Sequence, residues 1–243
     1  METVLQVSHL SKKIRRQEII KDVNFTVNKG DICGFIGPNG AGKTTIIRML
    51  TSLVKPTSGS IRLNGYDVIE NRKEALQHLG AIVESPIFFS HMSGEEALMN
   101  LALLIPNQSK AKRQQKVCEV LEIVGLSDRK KDKISTYSLG MKQRLGIAQA
   151  LLNDPTIIIL DEPANGLDPL GMVQLRELIL KLNKEHNITF FISSHLLDEL
   201  QKICNRLVII KKGEIAWKGT KDELLNLGHK GASLEEVFIQ LIQ

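Results

Sequence analysis

"GPNGAGKTT", residues 37–45, follows directly on the apolar run Ile32-Cys33-Gly34-Phe35-Ile36. Three glycines, a lysine and two threonines crowd into nine positions. The stretch fits the spacing G-x-x-x-x-G-K-[ST] as Gly37, Gly42, Lys43 and Thr44. Glycines let a backbone curl until several N–H groups face one anion, and a following helix adds its positive N-terminal end. That reading puts Lys43 on the β- and γ-phosphates of a nucleotide and the Thr44 hydroxyl on Mg²⁺. Pro38, Asn39, Gly40, Ala41 and Thr45 complete the predicted cradle. Ordinary residue usage would produce such a string by chance in about one chain in a hundred of this length. The context is the required one. "DICGFIG" (31–37) reads as a fully buried strand, and from Lys43 onward Ile46, Ile47, Leu50 and Leu53 recur at helical spacing until "KPTSG" (55–59).

Outward from the loop, strands and helices alternate. "VNFTV" (23–27) alternates apolar and polar residues, and "GSIRLNG" (59–65) and "GAIVE" (80–84) read as strands. From about Ser90 to Asn153 the strands stop. "GEEALMNLALLI" (94–105), "KAKRQQKVCEVLEIVGL" (110–126) and "MKQRLGIAQALL" (141–152) carry helical periodicity, which predicts an inserted helical sub-domain. Alternation resumes with the strand "TIIIL" (156–160), a helix opening at Pro169, the strand "ITFFIS" (188–193) and the helix "LLDELQKIC" (196–204). "RLVIIKKGEIAWKG" (206–219) predicts a hairpin turning at "KKG". The amphipathic tail "SLEEVFIQLI" (233–242) opens on a capping box of Ser233 and Glu236.

A second chemical feature is independent of the first. "TIIILDEP" places Asp161 and Glu162 at the end of a buried apolar strand. An unpaired buried carboxylate is very costly, so two adjacent acids there call for a cation and a water. Asp161 is expected to hold the metal and Glu162 to polarise the attacking water, the two side chains pointing in different directions.

The chain has 243 residues, 42% of them hydrophobic, enough for one large domain with an insertion. Only 4% is aromatic, which leaves little for base stacking, and the net charge of +5 is spread along the sequence. The densest cluster, "DRKKDK" (128–133), contains its own acids. Cys33, Cys118 and Cys204 are odd in number and far apart, as expected in a reducing compartment. "METVLQVSHL" lacks the layout of a secretory signal, and no apolar run approaches the roughly 20 residues of a membrane span.

The order of motifs carries a resemblance. The phosphate loop is followed by "SLGMKQR" (138–144), "LDEP" (160–163), "NGLDP" (165–169) and "ISSH" (192–195). In that order the sequence resembles ABC transporter ATP-binding subunits over nearly its whole length. The resemblance implies an α/β fold: a P-loop NTPase (RecA-like) core with an N-terminal antiparallel β part and the helical insert. Residues 1–84 and 155–243 would form the core of a single domain and about 85–154 the helical sub-domain. It also implies an ATPase using ATP and Mg²⁺. Ser138 and Gly140 would contact the γ-phosphate held by a second copy of the domain. Asp168 would run along the seam of that dimer, and His195 would be the switch histidine near the γ-phosphate. A separately encoded transmembrane permease would be the other partner, which puts the chain peripherally on the cytoplasmic face of the membrane, with no nucleic acid involved. The second class, a soluble ABC ATPase working on ribosomes or DNA, usually has two cassettes or a long coiled-coil insertion, and this chain has neither.

Three departures mark a branch. Leu139 and Met141 stand where the family's signature has glycine and glutamine. Glu84 stands where the family usually has a glutamine near Mg²⁺ and the γ-phosphate, so it is expected to ligate the cation more strongly while repelling the γ-phosphate, and with "SPIFF" (85–89) it resembles the branch that expels bacitracin-like and lantibiotic peptides. The exporter-like tail fits efflux of a toxic peptide or drug. Ile14 occupies the position of the family's adenine-stacking aromatic, so ATP use with competition by GTP is expected.

Overall fold

The computed structural model describes residues 2–228 and 233–242. The chain opens with two long strands, β1 (Thr3–Ile14) and β2 (Gln17–Asn28). The buried strand β3 (Ile32–Ile36) leads through the glycine loop into α1 (Lys43–Leu50). Then come β4 (Ser58–Leu63), β5 (Tyr66–Asp67), α2 (Arg72–Leu76) and β6 (Leu79–Ile82). Three helices follow: α3 (Gly94–Ala102), α4 (Lys110–Ile123) and α5 (Leu139–Leu151). The remainder is β7 (Ile157–Leu160), α6 (Pro169–His186), β8 (Thr189–Ser194), α7 (Leu197–Leu200), β9 (Arg206–Lys211), β10 (Glu214–Thr220), α8 (Lys221–Leu225) and α9 (Leu234–Ile242).

Two sheets result. The smaller is antiparallel, in the order β2-β1-β4-β5. The larger runs β10-β9-β3-β8-β7-β6, parallel except for the hairpin partner β10. All residues of β3, β7 and β8 are buried, as central parallel strands covered on both faces require. One core lies between the two sheets. There Phe191 of β8 stacks on Phe25 with ring centroids 5.5 Å apart and lies 5.2 Å from Phe35. The other core joins the opposite face of the large sheet to the helices between β6 and β7. Truncating Phe191 to alanine would cost about 3–5 kcal/mol.

The α/β fold with its antiparallel N-terminal part and helical insert is the expected one. The hairpin turns at Lys212-Gly213, both with positive φ, and Ser233 and Glu236 form the expected capping box on α9. Several local expectations fail: α4 ends at Ile123 and β4 at Leu63, short of the expected stretches. The stretch 196–204 yields only the four-residue α7, because the chain must turn to bring Cys204 into the core. α1 ends at Leu50, leaving Leu53 outside it and exposed. α3 ends at Ala102, before Leu103 and Leu104. β6 ends at Ile82, so Glu84 lies beyond the strand with φ 66°. Among the described residues no helix is long and apolar enough to cross a membrane.

Candidate nucleotide-hydrolysis site

The loop after β3 is packed so tightly that side chains are excluded at two points. A Cβ at Gly37 would sit 2.4 Å from the Ile210 carbonyl oxygen. Gly42 is left-handed, with φ 108°, and its Cβ would strike Ile20. Gly42 is also the N-cap of α1, which has no side-chain cap and no acid in its first turn. The opening N–H groups of α1 therefore form an anion-seeking end with no built-in competitor. A cleft of about 340 Å³ lies over it, and Asn39, Gly40, Gly42, Lys43, Thr44 and Thr45 line one side. Pro38 and Ala41 shape the loop from behind: Ala41 N donates to Pro38 O at 3.1 Å and Ala41 O accepts from Gly213 N at 3.0 Å. Lys43 is only 6% exposed, and its ammonium donates to Gly37 O at 2.8 Å and more weakly to Pro38 O at 3.5 Å.

The opposite wall comes from the ends of β7 and β8, and β8 is the strand between β7 and β3. Asp161 is buried, and its Oδ1 accepts from Ser193 Oγ at 2.6 Å. Glu162 takes a left-handed backbone with φ 48°, which costs a non-glycine residue roughly 1–2 kcal/mol. Its N–H donates to the same Ser193 Oγ at 2.8 Å. That turn sends the Glu162 carboxylate into the cleft. Oε1 lies 3.2 Å from Lys43 Nζ, and Oε2 lies 2.8 Å from His195 Nδ1. Asp161 and Glu162 thus point in different directions.

These residues fit a triphosphate and its cation. The Thr44 hydroxyl and the Asp161 carboxylate are oxygen donors suited to Mg²⁺. Among the described residues no three His, Cys, Asp or Glu side chains converge as a metal cage. Two protein oxygens suit a cation that arrives with phosphate oxygens and water of its own.

Other residues singled out in the sequence lie elsewhere. Glu84 does not line the cleft and pairs with Arg48 of α1. Ser138 caps α5 by accepting from Met141 N at 3.2 Å, and Asp168 caps α6 by accepting from Gly171 N at 2.8 Å. A Cβ at Gly140 would lie 3.9 Å from Gly171 Cα, so these two helix starts sit side by side, apart from the cleft of their own chain. Ile14 is 51% exposed and does not line the cleft; Ile19 of β2 does. Asn165 also lines it, three residues after Glu162 in the same turn. Ile19 lies outside every motif of the sequence, whereas Asn165 opens "NGLDP" and Ser193 lies inside "ISSH" without either having been singled out as a site residue.

A glycine loop between a buried parallel strand and a helix, facing an acid pair on a nearby strand end, defines a P-loop nucleotide hydrolase. The antiparallel N-terminal sheet and the helices between β6 and β7 define the ATP-binding cassette within that class. The family model for ABC transporters matches residues 20–165, and the chain belongs to that family. It is 45% identical over 224 residues to the uncharacterized ABC transporter ATP-binding protein YhcH of Bacillus subtilis, spanning 92% of this chain and 72% of that one. It is 47% identical over 215 residues to the bacitracin transport ATP-binding protein BcrA of Bacillus licheniformis, spanning 88% and 69%. A solved structure of an ATP binding subunit of an ABC transporter superposes with a TM-score of 0.84 at 32% identity, covering 98% of this chain and 99% of that one. The chain is an ATP-binding subunit of an ABC transporter, an ATPase whose hydrolysis drives transport.

Proposed function

We propose that this subunit powers export of antimicrobial peptides or drugs through a separately encoded membrane permease, from the cytoplasmic face. The observation that carries the cargo class is the 47% identity to a protein named for bacitracin transport. The resemblance of Glu84 and "SPIFF" to the peptide-expelling branch supports it.

In this reading the curled loop and Lys43 bind the β- and γ-phosphates. Thr44 and Asp161 hold Mg²⁺, which supplies charge neutralisation at the phosphates when bound. Glu162 accepts the proton of the attacking water, and His195 steadies Glu162 and meets the γ-phosphate. Ser138, Gly140 and Asp168 face the nucleotide of a second, identical copy. That none of the three lines the cleft of their own chain supports that assignment. The permease docks at an apolar groove of about 470 Å³ that includes Leu79, Val83, Pro86 and Ile87, where Ile87 is 93% exposed. Glu84, beside that groove, couples docking to the nucleotide.

The test is peptide susceptibility in a host expressing the chain together with a bacitracin-type membrane permease. Bacitracin resistance that disappears in Glu162→Gln supports the reading. Unchanged susceptibility, with ATPase activity present, overturns the cargo class. Co-purification with ribosomes or DNA in place of a membrane protein overturns the transporter role.

A further inference from the structure

We infer that Ser193 is a positioning residue that sets both acids of the hydrolytic site at once. The inference rests on the roles proposed for Asp161 and Glu162. Ser193 sits in β8, directly beside Phe35 of β3 in the sheet register, and is 0% exposed. Every other residue of β8 from Thr189 to Ser194 is buried too, so no bulk water reaches its hydroxyl. That hydroxyl makes two hydrogen bonds, and both go to the acid pair. It donates to Asp161 Oδ1 at 2.6 Å and accepts from Glu162 N at 2.8 Å.

The two bonds do different things. The donated bond fixes the rotation of the Asp161 carboxylate and leaves Oδ2 outside that bond, the oxygen that would be available to Mg²⁺. Charge-assisted bonds of this length are the strong ones. The accepted bond holds the left-handed backbone of Glu162, the conformation that swings its carboxylate toward Lys43 and His195. Without the hydroxyl, the part-buried Glu162 N–H loses its protein acceptor, and with it the bond that holds that conformation. Two residues further along, His195 reaches Glu162 with its ring at 2.8 Å and its backbone N–H at 3.4 Å. Ser193 and His195 thus grip Glu162 from one strand end. A movement of that end relative to β7 shifts the metal acid and the water acid together. The neighbouring Ser194 shares none of this, since its hydroxyl accepts from Leu196 N at 3.0 Å.

The experiment compares Ser193→Ala and Ser193→Thr with wild type, beside Asp161→Asn and Glu162→Gln. Two readouts are taken: steady-state ATP hydrolysis, and binding of a fluorescent ATP analogue titrated with Mg²⁺. Loss of a bond to a charged group predicts a kcat about ten- to hundredfold lower in Ser193→Ala, with KM within about twofold. The Mg²⁺ concentration for half-maximal nucleotide binding should rise about threefold or more, while binding in EDTA is unchanged. Ser193→Thr keeps the hydroxyl and should recover most of both. Wild-type kcat and Mg²⁺ dependence in Ser193→Ala overturn the inference. So does a kcat loss that Ser193→Thr fails to reverse and that is accompanied by equal loss of nucleotide binding in EDTA, since that describes a damaged core. If Ser193→Ala does not fold, Ser193→Cys, of similar volume with a weak donor, is read by the same titrations and criteria. A wild-type rate in Glu162→Gln defeats the underlying role assignment. An inactive Glu162→Gln beside a normal Ser193→Ala defeats only the part given to Ser193.

Discussion

The Glu162 carboxylate stands 3.2 Å from the Lys43 ammonium, closing the cleft between the glycine loop and the end of β7. In the roles proposed for them, the water-activating acid and the phosphate-binding cation would thus be paired where a γ-phosphate would enter. On that proposal, nucleotide binding would exchange the carboxylate for phosphate on Lys43 and free Glu162 toward the water. In Glu162→Gln the charge opposing the phosphate is gone and the proton acceptor with it. Turnover should fall at least about hundredfold, with ATP affinity equal or tighter. Size-exclusion chromatography with ATP should show an accumulated dimer. A normal hydrolysis rate would remove Glu162 from its assigned role.

Lys43→Ala should act on binding instead. The side chain carries the buried cation of the cleft and also ties Gly37 O, which closes the loop on itself. Its loss should raise the ATP dissociation constant at least about tenfold by calorimetry. ATP bound as tightly as by wild type would mean that the loop is not the phosphate site.

The contrast between these two residues and others shows what a sequence can reveal. The positions of Asp161 and Glu162 are legible because they follow directly on a strand whose burial is plain in its composition, and that of Lys43 because it opens a helix behind a glycine loop. A phosphate cradle needs contiguous backbone, so its residues must be neighbours in the chain. Ser193 looks like any small residue in an apolar strand. Its contact with the acids comes from lateral register, which places it beside Asp161 across 32 positions, and the "ISSH" motif around it draws attention to His195 instead. Ile19 could not be told from Ile14, since which of them faces the cleft depends on how the β1–β2 hairpin folds over the loop. The brevity of α7 was hidden because tertiary packing of Cys204 and Leu200 overrides a favourable local pattern.

Base recognition follows from that hairpin. Ile19 gives an apolar surface, and no aromatic is among the described residues lining the cleft. Apolar contact does not distinguish an exocyclic amine from a carbonyl, whereas a hydrogen-bonding site would reject the wrong base strongly. ATP and GTP should bind within about threefold of one another, and Ile19→Ala should weaken both alike. A competition titration with a large ATP preference would contradict this.

The thiols should differ sharply in reactivity. Burial is the main cause that pushes Cys33 up to about 12, with Asp31 adding to it, and burial also pushes Cys204 well above the usual thiol range. Only the thiolate attacks an alkylating reagent, so at pH 8 both are protonated as well as enclosed. Cys118 is only partly buried. Brief treatment of the folded protein with iodoacetamide at pH 8 should modify Cys118 alone by mass spectrometry, and urea should expose the other two. Early labelling of Cys33 in the native state would mean that β3 opens far more readily than its packing implies.

The last prediction concerns Glu84. Its carboxylate pairs with Arg48, and Arg48 lies on α1, the same helix that begins with Lys43 and Thr44. Both side chains are about half exposed, so the pair is worth no more than about 1 kcal/mol to the fold. Breaking it should move Tm by less than about 4 °C. Its value lies in connection: one partner rides on the helix that feels the phosphates, the other precedes the exposed Ile87 and Phe89. If Glu84 carries the coupling to the permease, Glu84→Ala and Arg48→Ala should each lower peptide export and peptide-stimulated ATPase while leaving Tm almost unchanged. Reversing both charges, Arg48→Glu with Glu84→Arg, tests the contact itself, because a pair that works by mutual attraction recovers some function when swapped, whereas two independent residues do not. Wild-type export by Glu84→Ala would end the coupling assignment, and failure of the swap with both single variants defective would mean that Glu84 and Arg48 act independently rather than through their pairing.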